Sequence, residues 1–83
     1  MIVAAQVITN LQQIVARETD PFDSVVVSVT TLAAGIARNV IPGSVRLGGT
    51  VRTLSTSRRG DVRDAMERVI AGVTSAHRAT YEF

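Results

Sequence analysis

Apolar side chains recur at helical spacing through the first part of the chain. Val3, Val7, Leu11 and Ile14 form one stripe, with Ala4, Ile8 and Val15 beside it. Gln6, Asn10, Gln13 and Arg17 fill the opposite side. The spacing predicts a helix over Ile2 to Arg17. Pro21 stops it and leaves Thr19 to Asp23 as the connecting loop. No capping side chain precedes the first turn, whose amides need partners. So abrupt a start is what a segment cut from a longer protein would show, with Met1 added or serving as an internal start.

The period then changes. Val25, Val26, Val27 and Val29 are β-branched within a short run, which predicts a strand from Val25 to Leu32. Val25, Val27 and Val29 share one face; Val26, Ser28 and Thr30 share the other, which is half polar. Gly35 breaks the pattern. The loop runs to Pro42-Gly43, where the fixed φ of proline and the freedom of glycine predict a tight turn. Ser44 to Leu54 alternates, with Val45, Leu47, Gly49, Val51 and Thr53 on one face and Ser44, Arg46, Gly48, Thr50 and Arg52 on the other. A strand covered on one side only reads this way. Gly48-Gly49 in its middle marks a bulge, a bend or a close approach by another backbone. The connection is short enough for the two strands to pair antiparallel.

A second helix follows, capped by Thr56 or Ser57 and running to about Ala76. Its stripe is Val62, Ala65/Met66, Val69/Ile70, Val73 and Ala76. Arg63 with Glu67, and Asp64 with Arg68, are spaced as i, i+4 ion pairs worth a few tenths of a kcal/mol each. Gly72 weakens a helix interior by about 1 kcal/mol relative to alanine. The last residues, Ala79 to Phe83, alternate as a short strand would.

The order is helix, strand, strand, helix, strand. One further strand in front would make it strand-helix-strand-strand-helix-strand, the ferredoxin-like arrangement. The predicted class is therefore α+β: a ferredoxin-like two-layer sandwich, an antiparallel sheet with two helices on one face, here lacking its first strand. In that topology the first strand lies centrally, between the last and the third. Without it the last strand has no neighbour and part of the helices' apolar surface has no cover. Alone, the chain is expected to be marginal or to recruit a partner chain into the gap.

Composition narrows the function classes. With 83 residues and 46% apolar content the chain is one domain, neither disordered nor built around a membrane span. There is no signal-peptide pattern at Met1-Ile2-Val3-Ala4-Ala5. The absence of cysteine fits a reducing compartment, and a cytoplasmic location is expected. All nine basic residues are arginines, interleaved with acids, and the net charge is only +2. The aromatics are Phe22, Tyr81 and Phe83 alone. A nucleic-acid surface would gather its cations on one face and add stacking rings, so no nucleic-acid partner is expected, and no membrane partner.

Few residues carry chemistry. Arg52 falls on the polar face of its strand, where a guanidinium can form a two-pronged bond to a carboxylate. Asn39 lies in a loop, where an amide can donate to an anionic oxygen. Read from the residues alone, Asn39 could equally shape the turn and Arg52 could be an ordinary exposed arginine. His77 stands alone near a helix end, a favourable place for a cation. Asp20 and Asp23 flank a proline and suit turn bonds. No catalytic triad, phosphate loop or metal-ligand cluster is present, so no catalytic residue and no metal ligand is expected within the chain.

The run Val25-Val26-Val27-Ser28-Val29-Thr30, then Gly35, Ala37 and Asn39-Val40-Ile41-Pro42, then Gly49-Thr50-Val51-Arg52-Thr53, resembles the dimerisation, or lid, domain of the aminoacylase, hippurate hydrolase and carboxypeptidase family of metal-dependent amidohydrolases. The resemblance covers essentially the whole chain. It departs at Ala34, Ile36 and Gly43, where the family more often has glycine, a small polar residue and an acid. It implies a satellite domain, residues 1–83, of a longer two-domain enzyme that hydrolyses the amide bond of N-acyl amino acids or peptides. It also implies that Asn39 and Arg52 face the cleft and hold the substrate's carboxylate or carbonyl. The two divalent metal ions, zinc, manganese or similar, and the catalytic glutamate would belong to the other domain. This domain alone would need no cofactor and would be inactive. A homodimer through the edge strand is implied, with Val25, Val26, Val27, Val29 and Thr31 at the interface; a long β-branched edge without lysine or proline suits that pairing. The alternative is a stand-alone ferredoxin-like interaction or regulatory module without catalysis, which predicts a chain that folds fully as it stands.

Overall fold

A computed structural model describes residues 1–17, 25–53 and 56–83, without the side chains of Arg17, Thr56 and Ser57. The Thr19–Asp23 loop, Leu54 and the capping hydroxyls of the second helix therefore lie outside the described residues. The elements are α1 (Ile2–Leu11), α2 (Gln13–Arg17), β1 (Val25–Ala34), β2 (Val45–Thr53) and α3 (Thr56–Ala76). The strands pair antiparallel, and the helices lie against one face of the sheet. This is an α+β arrangement consistent with the ferredoxin-like sandwich that the element order predicts.

The first helix is not continuous, and its own polar side chains supply the reason. Thr9 Oγ1 donates to the carbonyls of Ala5 and Gln6, each at 3.1 Å, and Asn10 Nδ2 donates to Gln6 O at 2.8 Å. Gln12 Nε2 reaches the Ile8 carbonyl at 3.5 Å, while the Gln12 backbone amide shifts to Thr9 O at 3.3 Å. Such back-bonding competes with the i to i−4 ladder and loosens a turn. The residue at Gln12 stays in the right-handed region, so the break separates α1 from α2 without reversing the chain. Met1 occupies the N-cap position with no side-chain cap bond.

The core sits where the predicted stripes converge. Val7, Leu11 and Ile14 meet Val25 and Val27 of β1 and Val62 and Val69 of α3. Ile14 is the most enclosed, 2% exposed. Burying each of these side chains is worth about 1.5–3 kcal/mol. Thr74, at 6% exposure, is the one buried polar side chain among the described residues, and its hydroxyl donates to Ile70 O at 2.8 Å. Ala76, placed on the stripe by spacing, is exposed because α3 has outrun its cover there.

The bulge announced by Gly48-Gly49 is present. Register runs evenly from Val25 opposite Thr53 to Val29 opposite Gly49, then resumes at Thr31 opposite Gly48, leaving Thr30 as the extra residue. A single inserted residue inverts which side chains of β1 face the helices. Before it the odd positions do; after it Leu32 takes that side, opposite Leu47. The outer half of the hairpin extends past the helices, and Leu32 is 47% exposed there.

Two sequence expectations are corrected. The tight turn is not at Pro42-Gly43. The left-handed glycine is Gly35, with φ of 88°, and the turn closes when the Val40 amide donates to Ala37 O at 3.3 Å. The glycine ends β1, which leaves the chain after Pro42 free to approach β2 in ordinary conformations. The second correction concerns Ala79 to Phe83, which form no strand. A strand needs a neighbouring ladder, and among the described residues no strand lies beside this segment. Instead it runs irregularly along α3. Tyr81 Oη donates to Glu67 Oε1 at 3.4 Å, and the Arg63 guanidinium stands 4.9 Å from the centre of the Phe83 ring.

The end of α3 is well defined. Arg78 takes φ of 55°, the Ala79 amide donates to Thr74 O at 2.8 Å, and the Arg78 amide donates to Ser75 O at 3.2 Å. These paired bonds form a Schellman motif with a non-glycine residue in the left-handed position. The expected ion pair between Arg63 and Glu67 forms at 3.4 Å, and Arg58 adds a contact of 3.8 Å to Asp61. Among the described residues no helix is long and apolar enough to cross a membrane.

Candidate functional site

Arg52 lies where strand alternation puts it, on the face of β2 turned away from the helices, directly opposite Val26. Both residues are exposed. A guanidinium there meets no helix and is free to take an anionic group from the open side of the sheet. Asn39 lies in the turn closed by Ala37 and Val40, and it too is exposed. The two do not stand side by side: from Val45, where the loop ends, to Arg52 the strand advances about 23 Å at ~3.3 Å per residue. No hydrogen bond joins them among the described residues.

Among the described residues, the loop between the strands carries the most exposed large apolar side chains. Ile36 is 99% and Ile41 89% exposed, with Asn39 between them in sequence.

Arg46 shares the open face with Arg52 and lies opposite Ala33, close to the loop. The sequence reading placed it on that face but gave it no role. Its nearness to the loop depends on the strand boundaries, which alternation alone leaves a residue or two loose.

The residues assigned to an interface divide by burial. Val25 and Val27 point into the core, so only their backbone is available to a partner. Val29 is half-buried, while Val26 and Thr31 are exposed. Among the described residues β1 pairs only with β2, leaving its other edge unpaired. His77 is exposed just past the end of α3. Among the described residues no group of three or more His, Asp or Glu side chains comes together as a metal site would require.

Among the described residues the domain is a bulged hairpin backed by helices, with the outer edge of β1 unpaired. Comparison with known proteins gives its family. Residues 1–77 match the family model described as the peptidase dimerisation domain, and the chain belongs to that family. It is 52% identical, over 98% of its length, to an N-acyl-L-amino acid amidohydrolase of Geobacillus stearothermophilus, of which it covers 22%. It is 36% identical, over 96% of its length, to an N-acetyldiaminopimelate deacetylase of Bacillus licheniformis, covering 21% of that protein. An IAA-amino acid hydrolase of Arabidopsis thaliana is 42% identical over the whole chain and is covered to 19%. The chain thus spans about a fifth of the length of these relatives.

Proposed function

We propose that these residues form the dimerisation and substrate-capping domain of an enzyme that hydrolyses the amide bond of N-acyl amino acids or related small amides. The domain contributes no metal ligand and no catalytic group. It contributes association through the free edge of β1 and polar contacts to the substrate from Asn39 and Arg52.

The observation that carries the substrate role is the position of Arg52: exposed, on the sheet face that no helix covers, in a domain whose relatives are named for amide hydrolysis. An arginine so placed can hold a carboxylate in two parallel hydrogen bonds, which orients a small substrate as well as binding it. Asn39 then supplies an amide donor to a carboxylate or carbonyl oxygen. Given the length of β2 between them, this reading requires the loop of residues 35–44 to fold toward the open face when substrate is bound. Two bare isoleucines beside Asn39 suit a loop that closes against another surface.

The test uses the full-length enzyme that contains this domain. Arg52→Ala lowers kcat/KM strongly for substrates with a free carboxylate and much less for the same substrates as carboxamides. Equal losses on both substrates contradict the carboxylate role.

A further inference from the structure

The extra residue at Thr30 shifts backbone groups as well as side chains. Along a strand, the face a side chain takes and the edge to which that residue's N–H and C=O point alternate together. The Ser28 carbonyl oxygen lies against Gly49 of β2, so the polar groups of Ser28 point inward, toward β2. Those of Val25, Val27 and Val29 then point to the unpaired edge of β1. Beyond the bulge the alternation is displaced by one residue, and the outward groups are those of Leu32 and Ala34. The free edge therefore offers donors and acceptors at every second residue, with one wider gap between Val29 and Leu32.

A strand of even spacing falls out of step across that gap. On the inner edge β2 keeps step through Gly48-Gly49, which leave room for the close approach of Ser28 and Thr31. A second copy of β1 has no glycine to make room, but it has the same gap. Running antiparallel, it can bring its gap opposite the first in one register only.

We propose that two copies of this chain pair through β1 in that register, with the two-fold axis between Thr30 and Thr31. This rests on the edge association stated above and fixes which residues meet. Val29 exchanges backbone hydrogen bonds with the partner's Leu32, and Val27 with the partner's Ala34. Ser28 stands opposite the partner's Ala33, and Thr30 opposite the partner's Thr31, as non-hydrogen-bonded pairs on the open face. Cross-strand threonine pairs are favourable. The ladder runs from Val27 to Ala34 on both strands. A dimer centred on Val27 pairs only Val25 to Val29 before the bulge interrupts it.

Apolar burial favours the same register. Leu32 faces the helix side of the sheet but is 47% exposed, because the hairpin has passed its own helices there. Opposite the partner's Val29 it lies beside a side chain packed on the partner's core. The helices of one copy then shelter the outer strand of the other. A dimer centred on Val27 leaves Leu32 bare.

The experiment uses disulfide trapping in the full-length enzyme that contains this domain. These 83 residues hold no cysteine, and peptide mapping identifies the linked positions. The variant Ser28→Cys with Ala33→Cys is exposed to oxidised glutathione. The two positions lie about 16 Å apart along one strand, so a link between them joins two subunits. In the proposed register their Cα atoms are about 4.5 Å apart, within disulfide reach. Coexpressed Val26→Cys and Ser28→Cys chains form the comparison, since a dimer centred on Val27 sets those two opposite each other. The first variant is expected to yield at least about tenfold more linked dimer than the second. Light scattering under reducing conditions gives the mass of each. A dimeric mass with a 26–28 link, or with no link in either case, overturns the register and leaves the edge association standing. A single-subunit mass overturns both.

Discussion

Gly49 lies against the backbone of Ser28 so closely that a Cβ on Gly49 would collide with the Ser28 carbonyl oxygen. Beside it, a Cβ on Gly48 would come within 2.5 Å of Thr31 Oγ1. The glycine pair is what lets the two strands stay paired around the extra residue at Thr30. Gly49→Ala is expected to destabilise the domain by about 1–3 kcal/mol, as forced backbone shifts in packed regions do. Gly43→Ala, where a Cβ meets open space, is expected to change stability by less than about 0.5 kcal/mol. Urea unfolding of the two variants separates them.

Gly72 lies inside α3, and a Cβ there touches nothing within 4 Å. Gly72→Ala therefore gains helix propensity without a clash and is expected to stabilise by about 0.5–1 kcal/mol. The urea midpoint rises with an unchanged slope.

Arg78 ends α3 in the left-handed region, a conformation that costs a side-chain-bearing residue about 1 kcal/mol and costs glycine almost nothing. Arg78→Gly is expected to stabilise despite the added chain entropy of glycine, and Arg78→Ala is not. Thermal melts of the two variants test this, since only relief of backbone strain distinguishes them.

Arg46 and Arg52 share one face and one charge and differ in position along β2. This makes Arg46→Ala the internal control for the substrate role. In the full-length enzyme Arg52→Ala alters the preference for a free carboxylate over a carboxamide, while Arg46→Ala leaves that ratio within about twofold. Equal shifts in both variants mean that the face acts through its overall charge and not through one bidentate contact.

Most of this architecture was legible from spacing. The stripe Val7, Leu11 and Ile14, the inward pair Val25 and Val27, and the cluster of Val62 and Val69 were all placed by period and are all buried. Gly48-Gly49 announced the bulge, but not that Leu32 would change sides, because parity is set by which strand carries the extra residue. The break at Gln12 was missed because apolar periodicity says nothing about polar side chains that bond back to carbonyls. The tail was misread as a strand because alternation records what a segment can form, whereas a ladder needs a neighbour. Pro42-Gly43 drew attention from Gly35, whose place at the end of a long strand was the better cue for the left-handed residue. For the candidate site, the face of Arg52 was readable from alternation. Its separation from Asn39 was not, since that depends on where β2 begins.

The central claim, association through the free edge of β1, is tested most directly by the solution mass of the chain by light scattering across a range of concentrations. The natural chain is expected to give about twice the 8.8 kDa of one copy. A variant with Val26→Lys and Thr31→Lys, two exposed positions on that edge strand, is expected to give the single mass with an unchanged circular dichroism spectrum. A natural chain that stays at the single mass at every concentration, or a lysine variant that remains a dimer, would contradict the account.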